Sequence, residues 1–193
     1  MPLQRSLYPK PQSREESRNG LQMIIAETAD KGGFANNLAW TTQDLRASAV
    51  YLYAGELITG VAITVSTGSV DASVHVYGGL YDDADGNASG SARSLLASSA
   101  DTPAAVANAT TVPKAIPFST PYRVPKDGVY YPAVLIIFTA GTTPQLLCTT
   151  VGVQRADAHT GGKVKGFMMA SQASLPATAT FTTATNIAWM GVY

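Results

Sequence analysis

Cysteine and charge are scarce in this chain of 193 residues. Cys148 is the single cysteine, so no disulfide can form within the chain. Its apolar setting in Gln145–Thr150 predicts a buried, unreactive thiol rather than a nucleophile. Charged residues make up only 13% of the chain, against about 25% in an ordinary soluble domain. The 13 basic and 13 acidic residues balance, which leaves no global field to attract nucleic acid, an anionic membrane or an acidic substrate.

Long apolar runs are also missing. The longest, Ala133–Phe138, falls well short of the roughly 20 residues that cross a bilayer. The start MPLQRSLYPK lacks the apolar core of a signal peptide. We therefore expect a soluble protein made in the cytoplasm, and the hydrophobic content of 46% suffices for one domain with a sizeable core.

No long segment carries the apolar spacing of an amphipathic helix, whereas short runs rich in β-branched and aromatic residues recur between turn signals. The weakest run, Leu21–Glu27, fits a strand or a helical turn, and we favour the strand. The pattern predicts an all-β fold, an antiparallel β-sandwich of the jelly-roll kind. The other predicted strands are Ala47–Tyr53, Leu57–Val65, Ser73–Tyr81, Ala92–Ser98, Ala115–Phe118, Gly128–Phe138, Leu146–Val153, Val164–Ala170, Ala177–Thr182 and Ile187–Val192.

Residues 1–20 are polar and contain Pro2, Pro9 and Pro11, which exclude a regular helix at the start. This stretch is either a disordered terminus or an extended arm, and residues 21–193 form the β-sandwich domain. At roughly 3.3 Å per residue an extended arm reaches about 65 Å, far enough to lie across a neighbouring molecule. Its anchoring residues would be Arg5, Tyr8, Lys10, Arg14 and Arg18, whose net positive charge permits contact with an acidic partner.

The segment Asp82–Asn87 is the strongest candidate for a metal site, because carboxylates at alternate positions can coordinate a calcium ion. An ordinary turn is the favoured interpretation, since Gly and Asn accept positive φ and the calcium pattern is incomplete. The isolated His75 and His159 do not make a zinc site, and we expect His75 to face solvent or a neighbour. Neither a hydrolase elbow nor a phosphate-binding glycine loop is present. We expect no enzyme activity, cofactor or metal.

Several aromatic residues could stack on sugar rings if they lined one exposed face. Period two places Tyr51 with Tyr53, and Tyr77 with Tyr81, on common strand faces. Such tyrosines more often border a core or an interface, so a carbohydrate platform is the alternative. The candidate glycan or interface face comprises Tyr51, Tyr53, Tyr77, Tyr81 and Trp189.

Three stretches resemble a module common in virion proteins of tailed bacteriophages, over roughly residues 41–193. These are Gly78–Asp82, where a strand ending in GLYD meets an acidic turn, Phe118–Tyr131 with its TPY, VP and YY elements, and Ser174–Ala177 followed by Ala188–Val192. In Phe118–Tyr131, Pro125 and Gly128 set a turn before the apolar strand.

The resemblance implies a non-enzymatic β-sandwich displayed on the phage particle, on its capsid, tail or tail tip. The short arm favours a small decoration or minor tail protein over a receptor-binding fibre. Its partners would be other virion structural proteins and further copies of itself, with a trimer suspected, but neither nucleic acid nor membrane. The alternative is a carbohydrate-binding module that recognises a bacterial cell-surface glycan.

Overall fold

The computed structural model describes residues 36–68, 73–82, 92–108, 113–139, 143–150, 166–184, 186–188 and 190–193. These residues form an all-β fold of antiparallel sheets, consistent with the predicted sandwich. The strands are β1 (Asn36–Ala39), β2 (Asp44–Ala47), β3 (Val50–Leu52), β4 (Leu57–Ile63), β5 (Val65–Thr67), β6 (His75–Tyr81), β7 (Ala92–Ser98), β8 (Lys114–Arg123), β9 (Gly128–Ile137), β10 (Gln145–Thr150), β11 (Gly166–Met169), β12 (Thr178–Thr180), β13 (Thr182–Ala184), β14 (Asn186–Ala188) and β15 (Met190–Val192). One turn of 3-10 helix, Pro103–Ala105, follows β7. None of the described helical structure is long and apolar enough to cross a membrane.

Strand β9 is the centre of the largest sheet, whose order is β12-β7-β6-β9-β2-β11-β13, with β3 also paired to β9. Its apolar sequence is buried on both faces along most of its length. Val134 and Ile136 point into one core, whereas Ala133 and Leu135 point into another. The continuous apolar run therefore reflects a strand covered on both sides rather than the alternation of a half-exposed strand.

Pro132 lies inside this central strand, where a proline removes one ladder hydrogen bond. Its carbonyl accepts a hydrogen bond of 3.1 Å from the Ser48 backbone N–H, so this residue's backbone faces the β2–β3 side. The neighbouring strand is interrupted there, between the end of β2 at Ala47 and the start of β3 at Val50. The missing N–H of Pro132 therefore falls where the neighbouring strand is broken.

The large sheet closes on itself. β12 pairs with β7 at one end of the strand order, and β13 pairs with β11 at the other. Phe181 alone separates β12 from β13 in the chain, so the two are consecutive parts of one segment. The resulting ring, formed by β7, β6, β9, β2, β11 and β12–β13, surrounds the ring core, whose largest members are Tyr81, Tyr131, Phe167, Phe181, Leu45 and Leu135.

A second cluster, the sandwich core, lies between the ring and two smaller sheets. These sheets have the orders β15-β4-β8 and β1-β10-β14, with β5 also paired to β10. The two layers approach closely at Gly78, where an added Cβ would lie 2.8 Å from Ile116 Cγ2. Glycine at this position of β6 is thus required by the packing of β8 onto the ring.

The structure locates most predicted strands within a few residues, and β7 has the predicted bounds. β8 continues beyond the predicted Phe118 to Arg123 because its pairing with β4 is irregular between Gly60 and Ile58, which accommodates the extra residues. The proposed arm, residues 1–20, and the weak strand Leu21–Glu27 lie outside the described residues.

Candidate functional site

Two of the predicted aromatic candidates, Tyr77 and Tyr81, lie on β6 and differ in how deeply they are buried. Tyr77 and Tyr81 share a strand face, and that face points into the ring core. Tyr81 is completely buried and packs edge-on against Phe181, with ring centroids 5.6 Å apart. Its hydroxyl donates a 3.0 Å hydrogen bond to the Pro176 carbonyl, and burial raises the pKa of the phenol. Tyr81 is therefore a core residue rather than part of an exposed glycan face, because β6 is covered on both faces from Gly78 to Tyr81.

The remaining aromatic candidates do not join Tyr77 on one described surface. Tyr77 is half-buried at the border of the ring core, whereas Tyr53 is half-buried at the β3–β4 turn. There the Tyr53 backbone N–H donates a 3.0 Å hydrogen bond to Glu56 Oε2. The side chains of Tyr51 and Trp189 lie outside the described part of the structure, as do all five arm residues, Arg5, Tyr8, Lys10, Arg14 and Arg18.

His75 is exposed, as its place in the alternating strand predicts, but it has a partner that the sequence did not reveal. Its Nδ1 lies 2.6 Å from Asp101 Oδ2. The other carboxylate oxygen of Asp101 accepts a 2.9 Å hydrogen bond from the Val76 backbone N–H. The pair joins β6 to the connection that follows β7. Since about half of the His75 side chain is exposed, we assign the pair a local bracing role worth little free energy.

The resemblance segment Phe118–Tyr131 builds a turn that is bonded to its neighbour rather than an open cleft. Between β8 and β9, Asp127 Oδ1 accepts a 2.9 Å hydrogen bond from the Ala54 backbone N–H. Arg123 donates through Nη1 to the Gly55 carbonyl at 2.9 Å, and the Gly55 N–H donates to the Val124 carbonyl at 2.8 Å. The β3–β4 and β8–β9 turns thereby form one end of the sandwich.

Tyr130 marks where this turn enters the buried part of β9. Its hydroxyl donates a 3.0 Å hydrogen bond to the Lys126 carbonyl. Burial raises the pKa of Tyr130 to about 12, and the nearby Tyr122, Asp82 and Asp127 act in the same direction. The phenol is thus a structural donor that stays protonated at neutral pH.

Arg93 is the most unusual buried side chain among the described residues, and sequence reasoning missed it. It is fully buried inside the ring, although arginine is rarely so. The guanidinium carbon lies 4.2 Å from the ring centroid of Tyr131, 5.4 Å from that of Phe167 and 5.7 Å from that of Phe181. Its only sequence signal is its position two residues before Leu95, on the same face of β7.

The described part of the acidic turn, Asp82, has a structural role in the fold. Asp82 accepts a 2.6 Å hydrogen bond from the Ser94 backbone N–H, which ties the end of β6 to β7. The rest of the predicted turn, Asp83–Asn87, lies outside the described residues, and the described part contains no cluster of three metal-ligating side chains.

Cys148 is buried as predicted. Burial raises the pKa of its thiol, whereas the nearby Arg46 acts to lower this pKa.

No protein-family model matches the chain, and no curated protein matches it.

Proposed function

We propose that this chain is a non-enzymatic structural protein of a bacteriophage virion. In this proposal the β-sandwich is displayed on the particle, and the N-terminal arm anchors it to capsid or tail subunits as a decoration or minor tail protein. The virion assignment comes from the sequence resemblance. The structural observation that carries a role in subunit contact is the small number of charged side chains among the exposed residues that the structure describes.

Among the exposed described residues, acidic and basic side chains occur only at His75, Asp101, Arg123, Lys126 and Asp127. Most of the others are Ala, Ser, Thr and Pro. Burying a charged side chain at a contact carries a large desolvation cost, and the centres of protein interfaces are depleted in charge. A surface of small uncharged residues can therefore be covered by neighbouring subunits with little desolvation penalty.

The segment that carries the resemblance also supports a structural role. Phe118–Tyr131 supplies the end of β8, the bonded β8–β9 turn and the start of the central strand. Val124, Tyr130 and Tyr131 are buried within it. The segment that carries the resemblance is therefore part of the frame of the domain, which supports the proposal of a structural role.

Deletion of residues 1–20 tests the anchoring role. In a phage that lacks the native gene, the full chain and the truncated chain are supplied in turn, and purified particles are assayed by mass spectrometry. We expect the truncated chain to keep its β-sheet circular dichroism spectrum but to be lost from particles. Normal incorporation of the truncated chain would contradict anchoring by the arm.

A full-length chain carrying Tyr53→Ala and Tyr77→Ala serves as the matched control. These half-buried tyrosines belong to the candidate glycan face but not to the arm, so we expect normal incorporation. If this variant instead abolishes binding of the purified chain to whole host cells or to a glycan array, the carbohydrate-binding alternative replaces the structural proposal.

A further inference from the structure

The ring is closed by the segment 166–184, here called the closing segment, through two short pairings. In β11, Phe167, Met168 and Met169 pair with β2. In β12, Thr178, Ala179 and Thr180 pair with β7. Most of the residues that connect β11 to β12 are exposed. By contrast, the pairing of β6 with β9 extends along the whole of β6.

Arg93 links the closing segment to the centre of the sheet. Its guanidinium lies against Tyr131 on β9 and reaches two aromatic rings of the closing segment, Phe167 in β11 and Phe181 between β12 and β13. Phe181 and Tyr81 also pack edge to face. The cation–π contacts are fully desolvated, which is the setting in which such contacts are strongest.

Short pairings and exposed connecting residues are typical of segments that open locally while the rest of a domain stays folded. We propose that the closing segment is such a unit and that its contacts with Arg93 hold it closed. Opening separates Phe167 and Phe181 from the guanidinium, and it exposes the aromatic side chains of β6 and β9 without disrupting the pairing of these two strands. The stacked, planar guanidinium sets how often the ring opens.

Native-state hydrogen exchange of the full chain, followed by mass spectrometry, tests this inference. In the wild-type protein we expect backbone amides of the closing segment to exchange faster than those of β6 and β9. Arg93→Lys keeps the charge but removes the planar stack, and we expect it to speed exchange in the closing segment about 30-fold, the factor for loss of one desolvated cation–π contact.

Ile136→Val is the control, because Ile136 lies on β9 but faces the sandwich core. It should lower global stability without changing local exchange in the closing segment. Equal exchange rates for the closing segment and β9 in the wild-type protein would overturn the inference, even if Arg93→Lys fails to fold. Unchanged exchange in a folded Arg93→Lys protein would show that Arg93 does not hold the closing segment in place.

Discussion

Tyr130 shows how a single buried phenol links stability to pH. Its pKa is raised from 10.0 to about 12 in the folded protein. The unfolded chain therefore loses this proton first, and the contribution of the phenol to stability is complete below pH 10 and is lost as the pH rises towards 12. We expect the free energy of unfolding to fall over this interval, measured by urea denaturation at a series of pH values.

The control for this prediction is Tyr130→Phe. The variant lacks the hydrogen bond to the Lys126 carbonyl, so we expect it to be about 1 kcal/mol less stable at neutral pH. Above pH 10 its stability should fall less steeply, although Tyr81, Tyr122 and Tyr193 also have raised pKa values and keep part of the slope. Identical slopes in the two proteins would contradict the assignment.

For single residues, the sequence pattern predicted which side chains share a strand face, but it did not predict which residues pack against that face. Period two placed Tyr77 and Tyr81 together, but it could not show that both faces of β6 are covered around Tyr81. Asp101 lies in a low-complexity connection, far along the chain from His75, and nothing local indicates that they meet. The same holds for Arg93, because the three aromatic rings that lie around its guanidinium come from distant parts of the chain.

Among the elements, the β8–β9 turn depends on one carboxylate. Asp127→Ala removes the acceptor of the Ala54 backbone N–H, which loosens the contact between the two turns. We expect a loss of about 0.5–1.5 kcal/mol in the free energy of unfolding, towards the lower end because water can reach the exposed turn. Urea denaturation measures this loss.

The adjacent residue provides the comparison for that substitution. Lys126 is exposed, and its carbonyl rather than its side chain accepts the described hydrogen bond from Tyr130. Lys126→Ala should therefore leave the free energy of unfolding nearly unchanged. Equal losses for the two variants would show that the Asp127 carboxylate does not stabilise the turn.

Strand prediction succeeded where the side-chain pattern and the local turn chemistry agree. Ala92–Ser98 is recovered with its bounds because polar, turn-forming residues precede it. β1 was not predicted, because its sequence Asn-Asn-Leu-Ala has little β propensity and its pairing with β10 supplies the order. β8 was predicted too short, and it continues through Pro121, which is tolerated in a strand at the edge of its sheet.

In the whole molecule, two cores share the backbone of β9. Leu135 faces the ring core and Ile136 faces the sandwich core. We expect Leu135→Ala and Ile136→Ala each to lower the free energy of unfolding by about 2–5 kcal/mol. Since β9 cannot leave one core without disrupting the other, both variants should show a single global transition.

Tryptophan fluorescence and far-ultraviolet circular dichroism provide two probes of that transition, with Trp40 buried in the sandwich core. Their denaturation midpoints should coincide in the wild-type protein and shift together in each variant. Two separated midpoints in either variant would show that the cores unfold independently.

Composition and periodicity predicted the all-β class, but they could not predict closure of the ring. Closure depends on Thr178–Thr180 pairing with β7 and Thr182–Ala184 pairing with β11, and such pairings are not encoded by local spacing. The sandwich core is similarly assembled from strands far apart in the chain. Long-range pairing, rather than strand propensity, is the part of this fold that the sequence pattern leaves open.

Pro132 also fixes the alignment of the chain around the central strand. If β2 slid along β9 towards this residue, a strand carbonyl would face a nitrogen that has no hydrogen to donate. A slip by one residue would also turn Leu45 and Ala47 out of the ring core. The proline therefore disfavours registers that would place a carbonyl of the β2–β3 region opposite its nitrogen, and it favours the alignment in which the break between β2 and β3 lies beside it.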